Sequence, residues 1–243
     1  TPDTLGAANG ASFGAVLGIL LGLPAFGIQT LAMITGVAAV LMAWSVAQVR
    51  GTIPPLMVIL AGMVVSSLFS ALVSLVKYAA DPQDVLPSIT YWLMGSMAST
   101  TRTALIMGAP FILAGGLLLF LLRWKLNTMS LPEDEAKSLG IPVKRIRSLV
   151  ILGAAMVTAA VVSMCGQIGW IGLLIPHMVR MIFGNDNRSV VPASMASGAL
   201  FMLIIDTAAR SVMATEIPVS ILTSLIGAPC FILLLRKTGG IRL

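Results

Sequence analysis

The chain is poor in charge and in the side chains that carry chemistry. Only 10% of its 243 residues are charged, where a soluble domain carries about a quarter. Histidine occurs once, at His177. That excludes H-E-x-x-H and most histidine-based metal sites, so no metal is expected. It also leaves the serines without a convincing base, so no catalytic residue is expected and the chain does not read as an enzyme. No G-x-x-x-x-G-K-[ST] occurs, and the chain cannot cradle ATP phosphates by itself. Inside its apolar runs Asp206 is the one carboxylate. A proton-coupled carrier or ion pump usually keeps several, because each is costly in lipid and retained for function. The two cysteines, Cys165 and Cys230, lie within apolar runs and read as packing residues rather than a disulfide. Taken together, these gaps point to a protein that forms a pathway while another subunit supplies the energy.

What is present is apolar. Hydrophobic residues make up 58% of the chain, and mean hydropathy is +1.01. This is an all-α, polytopic membrane protein in one transmembrane domain, residues 1–243. Apolar runs between charges and Pro/Gly breaks suggest eight spans, near 7–23, 26–49, 55–76, 103–122, 148–164, 168–183, 192–213 and 219–235. Several are shorter than the roughly 20 residues of a straight span, so tilted or broken helices are expected. The first residue is Thr1, and no cleavable signal precedes the first run; the expectation is that the true start lies upstream.

Charge gives an orientation. If both ends share one side, that side holds Arg50, Arg123, Lys125, Lys137, Lys144, Arg145, Arg147, Arg180, Arg188, Arg236, Lys237 and Arg242. That is 12 of the 15 basic residues, leaving Lys77, Arg102 and Arg210 opposite. The positive-inside rule puts the twelve, and both ends, in the cytoplasm. The net charge of +6 is therefore a topology signal and not a nucleic-acid footprint.

Small residues mark close helix contacts. Gly6, Gly10, Gly14, Gly18 and Gly22 recur every fourth position along the first run, and such stripes let helix backbones approach. Gly166, Gly169 and Gly172 form a G-x-x-G-x-x-G. No strand precedes it, so it reads as helix packing and not as a dinucleotide site.

One polar stretch has internal order: "SLPEDEAKSLGIPVKRIR", residues 130–147. Ser130 and Glu133 fit a capping box, and Glu133 and Lys137 are spaced as a helical ion pair. Gly140 suits a helix stop, and Pro142 suits the first turn of the next helix. The pattern predicts a short helix, a sharp turn and a second short helix. It is either a solvated connector or a rigid knob that fits a cleft on a partner.

At this point the motifs become recognisable. "IGWIGLLIPHMVR" from Ile168, "GNDNR" from Gly184, "VVPAS", "IIDTAAR", "EIPVSILTSLIGAP", "EDEAKSLGIP" and "YWLMGS" occur in order. Together they resemble the FecCD-type iron-chelate and vitamin B12 permeases of bacterial type II ABC importers, and the resemblance covers essentially the whole chain. It implies ten transmembrane helices in the family fold, the first two expected before Thr1. It implies a homodimer in the inner membrane, two ATPase subunits bearing ATP and magnesium, and a periplasmic or lipid-anchored binding protein. No cofactor is implied in this chain, and no nucleic acid. The cargo would be a ferric siderophore, haem, cobalamin or, in some relatives, molybdate or tungstate.

The resemblance also implies residue roles. Glu133, Ala136, Leu139, Gly140, Ile141 and Pro142 match the coupling helices that sit in the ATPase cleft. Gly51 and Thr52 match the region near the cytoplasmic gate. Arg210 matches an arginine that grips acidic residues of the binding protein, although an internal pair with Asp206, four residues earlier, is equally consistent with the spacing. Gly169, Gly172, Pro176, His177, Arg180 and Asp206 belong to family signatures. His177 is expected to be structural, capping carbonyls or bonding a neighbouring helix. The rival class, an ion- or proton-coupled secondary transporter, would need inverted repeats with ionisable broken helices, and no repeat is evident.

Overall fold

The computed structural model describes residues 5–48, 54–98, 100–130, 133–138, 140–212 and 216–237. These residues are helical, with no strand among them. The helices are α1 (Ala7–Leu20), α2 (Ala25–Ala47), α3 (Pro55–Ala79), α4 (Val85–Leu93), α5 (Arg102–Leu126), α6 (Glu133–Ser138), α7 (Val143–Cys165), α8 (Ile171–Phe183), α9 (Asn187–Ser211) and α10 (Val219–Lys237), with a 3-10 turn at Asn127–Ser130.

Each of the eight expected spans is a helix, but the eight are not equivalent. Five (α2, α3, α5, α7 and α9) are long and apolar enough to cross a membrane; α1, α8 and α10 are shorter apolar helices. With 14 and 13 residues, α1 and α8 reach only about 20 Å at 1.5 Å per residue, against about 30 Å of hydrocarbon. In no long helix is more than 39% of the apolar window buried. Surface that apolar belongs against lipid or a partner, not water.

The structure differs from the eight-run reading in two places. Residues 77–102, left between two runs, are not simple connection: α4 lies there, with Ile89 fully buried against Val16, Val76 and Ala80. At nine residues, interrupted by Pro87 and Ser88, it is too short to register as a span. Nor is there a second short helix after Pro142. Pro142 caps α7, and the helix runs unbroken to Cys165 because no breaker follows.

Of the expected five-glycine stripe, Gly10, Gly14 and Gly18 lie within α1 and meet α2, whereas Gly6 precedes the helix at φ 79° and Gly22 follows it with open space around it. A Cβ at Gly10 would lie 2.8 Å from the Thr35 carbonyl, and one at Gly14 2.5 Å from the Leu31 carbonyl. Backbone cannot yield as a flexible side chain can, so α1 and α2 close on each other only because these positions lack a Cβ. Gly36 continues the contact outward, facing Ala11 and Ala159 of α7. On the other side α5 and α7 approach through Gly115 and Gly153. α8, α9 and α10 form a second group, packed through Ile175, Val179 and Val190 and through Ile205, Ala209 and Val219.

Candidate functional site

Three regions gather the candidate residues, and the first is the centre of the molecule. α1 does not start at a membrane surface. Gly6, which precedes it, faces Gly62, Val65 and Ser66, halfway along α3. α8 starts equally deep: Trp170 caps it and packs on Gly227, halfway along α10. The two internal starts are joined by polar bonds. Gln167 Nε2 donates to Asn9 Oδ1 at 3.3 Å, and Asn9 Nδ2 donates to the Ser66 carbonyl at 3.3 Å. Around them non-helical strands of chain converge. Ser96 N donates to the Cys165 carbonyl at 2.8 Å, Val219 N donates to the Gly95 carbonyl at 3.0 Å, and Ser220 Oγ donates to the Met94 carbonyl. Irregular backbone at this depth is tolerable only where protein or water satisfies it, and these bonds do so.

This corrects the glycine triplet. Gly166 is not a packing residue on a helix face; it ends α7 with φ 72°, and Gly95 and the Trp92 carbonyl crowd the place a Cβ would take. Gly169 lies in the loop, and positions 169 and 172 face open space. The triplet permits a chain reversal and not a helix contact.

His177 does not make the bonds expected of it among the described residues. Its ring meets Phe231 of α10 edge-on at 5.7 Å, and its Nε2 is buried without a hydrogen-bond partner among the described residues. Pro176 is inside α8, one residue before His177. Both cysteines are free thiols, and no group of three His, Cys, Asp or Glu converges among the described residues.

The second region is the charge-rich end. Here α6 stands between two membrane-length helices. Ala136 is 1% exposed, and Val143 and Ile146 of α7 are buried with it, whereas Glu135 and Ser138 project outward. Gly140 turns the chain with φ 73°, open space surrounds it, and Ile141 N donates to the Ala136 carbonyl at 3.1 Å. The left-handed turn is the helix stop expected of that glycine. Helix α6 starts at Glu133, while Ser130 closes the 3-10 turn. Of Ser130, Glu133 and Lys137 only the backbone is described, so the capping box and ion pair lie outside the described residues, as do Leu139 and the gate residues Gly51 and Thr52.

At the same end, Asp186 caps α9 by accepting from Arg188 N at 3.0 Å. It also accepts from Asn127 Nδ2 at 2.6 Å, and Asn187 N donates to Asn127 Oδ1 at 2.8 Å. These two donors and the Arg188 charge hold the Asp186 carboxyl below its usual value of 3.8. Arg180 Nη2 reaches Asn187 Oδ1 at 3.3 Å, and the Arg188 guanidinium lies 3.9 Å over the Trp124 ring. Sequence inspection offered only "GNDNR" here, and nothing in the sequence tied it to Asn127.

The third region is the opposite end of α9. Arg210 Nε and Nη2 donate to the two oxygens of Asp206 at 2.9 and 3.2 Å, the pair that their spacing suggested. The Arg210 side chain remains 46% exposed, so the pair does not consume it. At the turn between α1 and α2, a cleft of about 560 Å³ is lined by Gln29, Ser88, Trp92, Thr101 and Ser163 among others. Gln29 is already committed, donating to the Ala104 carbonyl at 2.9 Å.

Comparison with known proteins agrees with this architecture. The FecCD transport family matches residues 1–237. The molybdate import system permease MolB of Haemophilus influenzae is 42% identical over 97% of this chain and 70% of its own length. The cobalamin import system permease BtuC of Halobacterium salinarum is 35% identical over 97% of this chain and 63% of its own. A solved inward-facing ABC transporter, assigned to the metal-chelate type, superposes with a TM-score of 0.93 at 41% identity, covering 98% of this chain and 76% of that one. The helical fold and these similarities lead to one conclusion. The chain belongs to the FecCD transport family and is the membrane permease subunit of an ABC importer for metal chelates or related ligands.

Proposed function

We propose that this permease works as one of two identical copies in the bacterial inner membrane, its charge-rich end in the cytoplasm. There α6 and the Gly140 turn dock into a cleft of the ATPase subunit, and the opposite end receives cargo from a binding protein at Arg210. The supporting observation is α6 itself. It is a short helix between two membrane-length helices, pinned at buried Ala136 and exposed at Glu135 and Ser138. A flexible connector would not be braced in this way. ATP chemistry belongs to the partner subunits, and the permease converts their closure into opening and closing of the pathway.

The cargo is a metal-containing ligand such as a ferric siderophore, haem, cobalamin or molybdate. Similarity to permeases named for molybdate and for cobalamin supports that range without narrowing it. A proton-coupled mechanism is disfavoured because Asp206, the carboxylate of the apolar runs, is held in an ion pair by Arg210.

The coupling role is tested by Gly140→Val. A β-branched residue resists positive φ, so the turn after α6 should distort. The variant should insert in the membrane and lose both transport and ATPase stimulation. Normal transport would remove α6 from the coupling path. The cargo is tested by purifying the cognate binding protein and titrating it with molybdate, ferric siderophore, haem and cobalamin.

A further inference from the structure

Helix α6 is braced on two sides, and only one brace belongs to its own hairpin. Buried Ala136 holds it to the foot of α7 through Val143 and Ile146. On the other side it follows the 3-10 turn that begins at Asn127, and Asn127 is bonded to residues 59 and 60 positions away in sequence. Those bonds reach Asp186 and Asn187, the N-terminal end of α9. Asn187 is in turn held by Arg180 near the end of α8, and Arg188 stacks on Trp124 in the last turn of α5.

We propose that the Asn127–Asp186–Asn187 cluster is the transmission link through which displacement of α6 reaches α8 and α9. Asn127 and Asp186 are thus positioning residues for coupling, a role distinct from the docking face itself. The inference rests on α6 being the ATPase contact. Its geometry is that of a joint. Asn127 uses both ends of its amide, donating to a carboxylate and accepting from a backbone N–H, so the turn cannot rotate relative to α9 without breaking both bonds. The output reaches far, because α9 is 25 residues long and carries Arg210 at its other end. The cluster is exposed at Asp186, where isolated polar pairs add little to stability. Loss of the link should therefore uncouple the protein rather than unfold it.

The experiment uses the whole transporter in proteoliposomes, with Cys165→Ser and Cys230→Ser and a reporter thiol from Leu203→Cys on the exposed face of α9. The readouts are ATPase-subunit binding, basal hydrolysis, and the change in thiol reactivity when ATP or a non-hydrolysable analogue is added. Asn127→Asp sets one carboxylate against another. It should leave binding and basal hydrolysis intact and reduce the nucleotide-dependent change about fivefold or more, the lower end of measured couplings between sites. Adding Asp186→Asn restores an amide–carboxylate pair in reverse and should restore the change, which a merely disturbed fold would not do. An unaltered response in Asn127→Asp, or failure of the double variant to recover, overturns the link. Gly140→Val serves as the comparator. If it blocks the response while Asn127→Asp does not, the link alone fails; if neither affects it, α6 is not the ATPase contact.

Discussion

Arg210 shows how a single residue can satisfy two readings. Its two nitrogens hold Asp206 in a fork, yet nearly half of the side chain stays open to a partner. An exposed pair of this kind adds little to stability, so removing it should be felt at an interface and not in the fold. Arg210→Glu should weaken association with the binding protein, most at low salt where steering is strongest, and leave ATPase assembly intact. Asp206→Asn is the control, since it breaks the internal pair and keeps the arginine. If co-sedimentation with the binding protein is lost equally in Arg210→Glu and Asp206→Asn, the internal pair is the requirement and docking by the arginine is not; if it is unchanged in Arg210→Glu, Arg210 does not dock. The pair was legible from a spacing of four. The orphaned Nε2 of His177 was not, because whether an imidazole finds a partner depends on which helix lies opposite, here α10 with Phe231.

Among elements, α1 is the most constrained. It packs on α2 through glycines and alanines, and at Gly14 the Leu31 carbonyl of the neighbouring helix obstructs a side chain. Gly14→Val should force the pair apart at a cost of about 1–3 kcal/mol, as overpacking generally does. It should appear as a lower midpoint of thermal unfolding in detergent, whereas Gly116→Val, at a position with open space around it, should leave the midpoint nearly unchanged. Equal midpoints for the two would deny that α1 and α2 depend on close approach. The stripe was visible in the sequence because period four is a local property. The Gly166–Gly172 spacing was equally visible and misled: period three looks helical, but φ at Gly166 ends a helix there. Helix α4 escaped notice for the opposite reason, since its apolar content is ample but its length is below that of a span.

For the whole molecule, the unequal distribution of Lys and Arg predicts orientation, and the helix order agrees with it: α6 and the feet of α5, α7, α8 and α9 share the charge-rich end. In a variant lacking its native cysteines, Ser138→Cys should react with a membrane-impermeant thiol reagent only from the cytoplasmic side, and Tyr78→Cys only from outside. The reverse pattern would invert the topology and with it the roles of α6 and Arg210. The sequence by itself determined the membrane class, the eight apolar helices, the turn at Gly140 and the family, because hydropathy, local turn chemistry and ordered motifs are written along one chain. Only the tertiary structure decided that α1 and α8 begin halfway along their neighbours. Only it decided that Gln167 meets Asn9 across 158 residues, and that Asn127 meets Asp186 across 59. A hydrogen bond forms wherever folding brings donor and acceptor within about 3 Å, and separation along the chain carries no record of that distance.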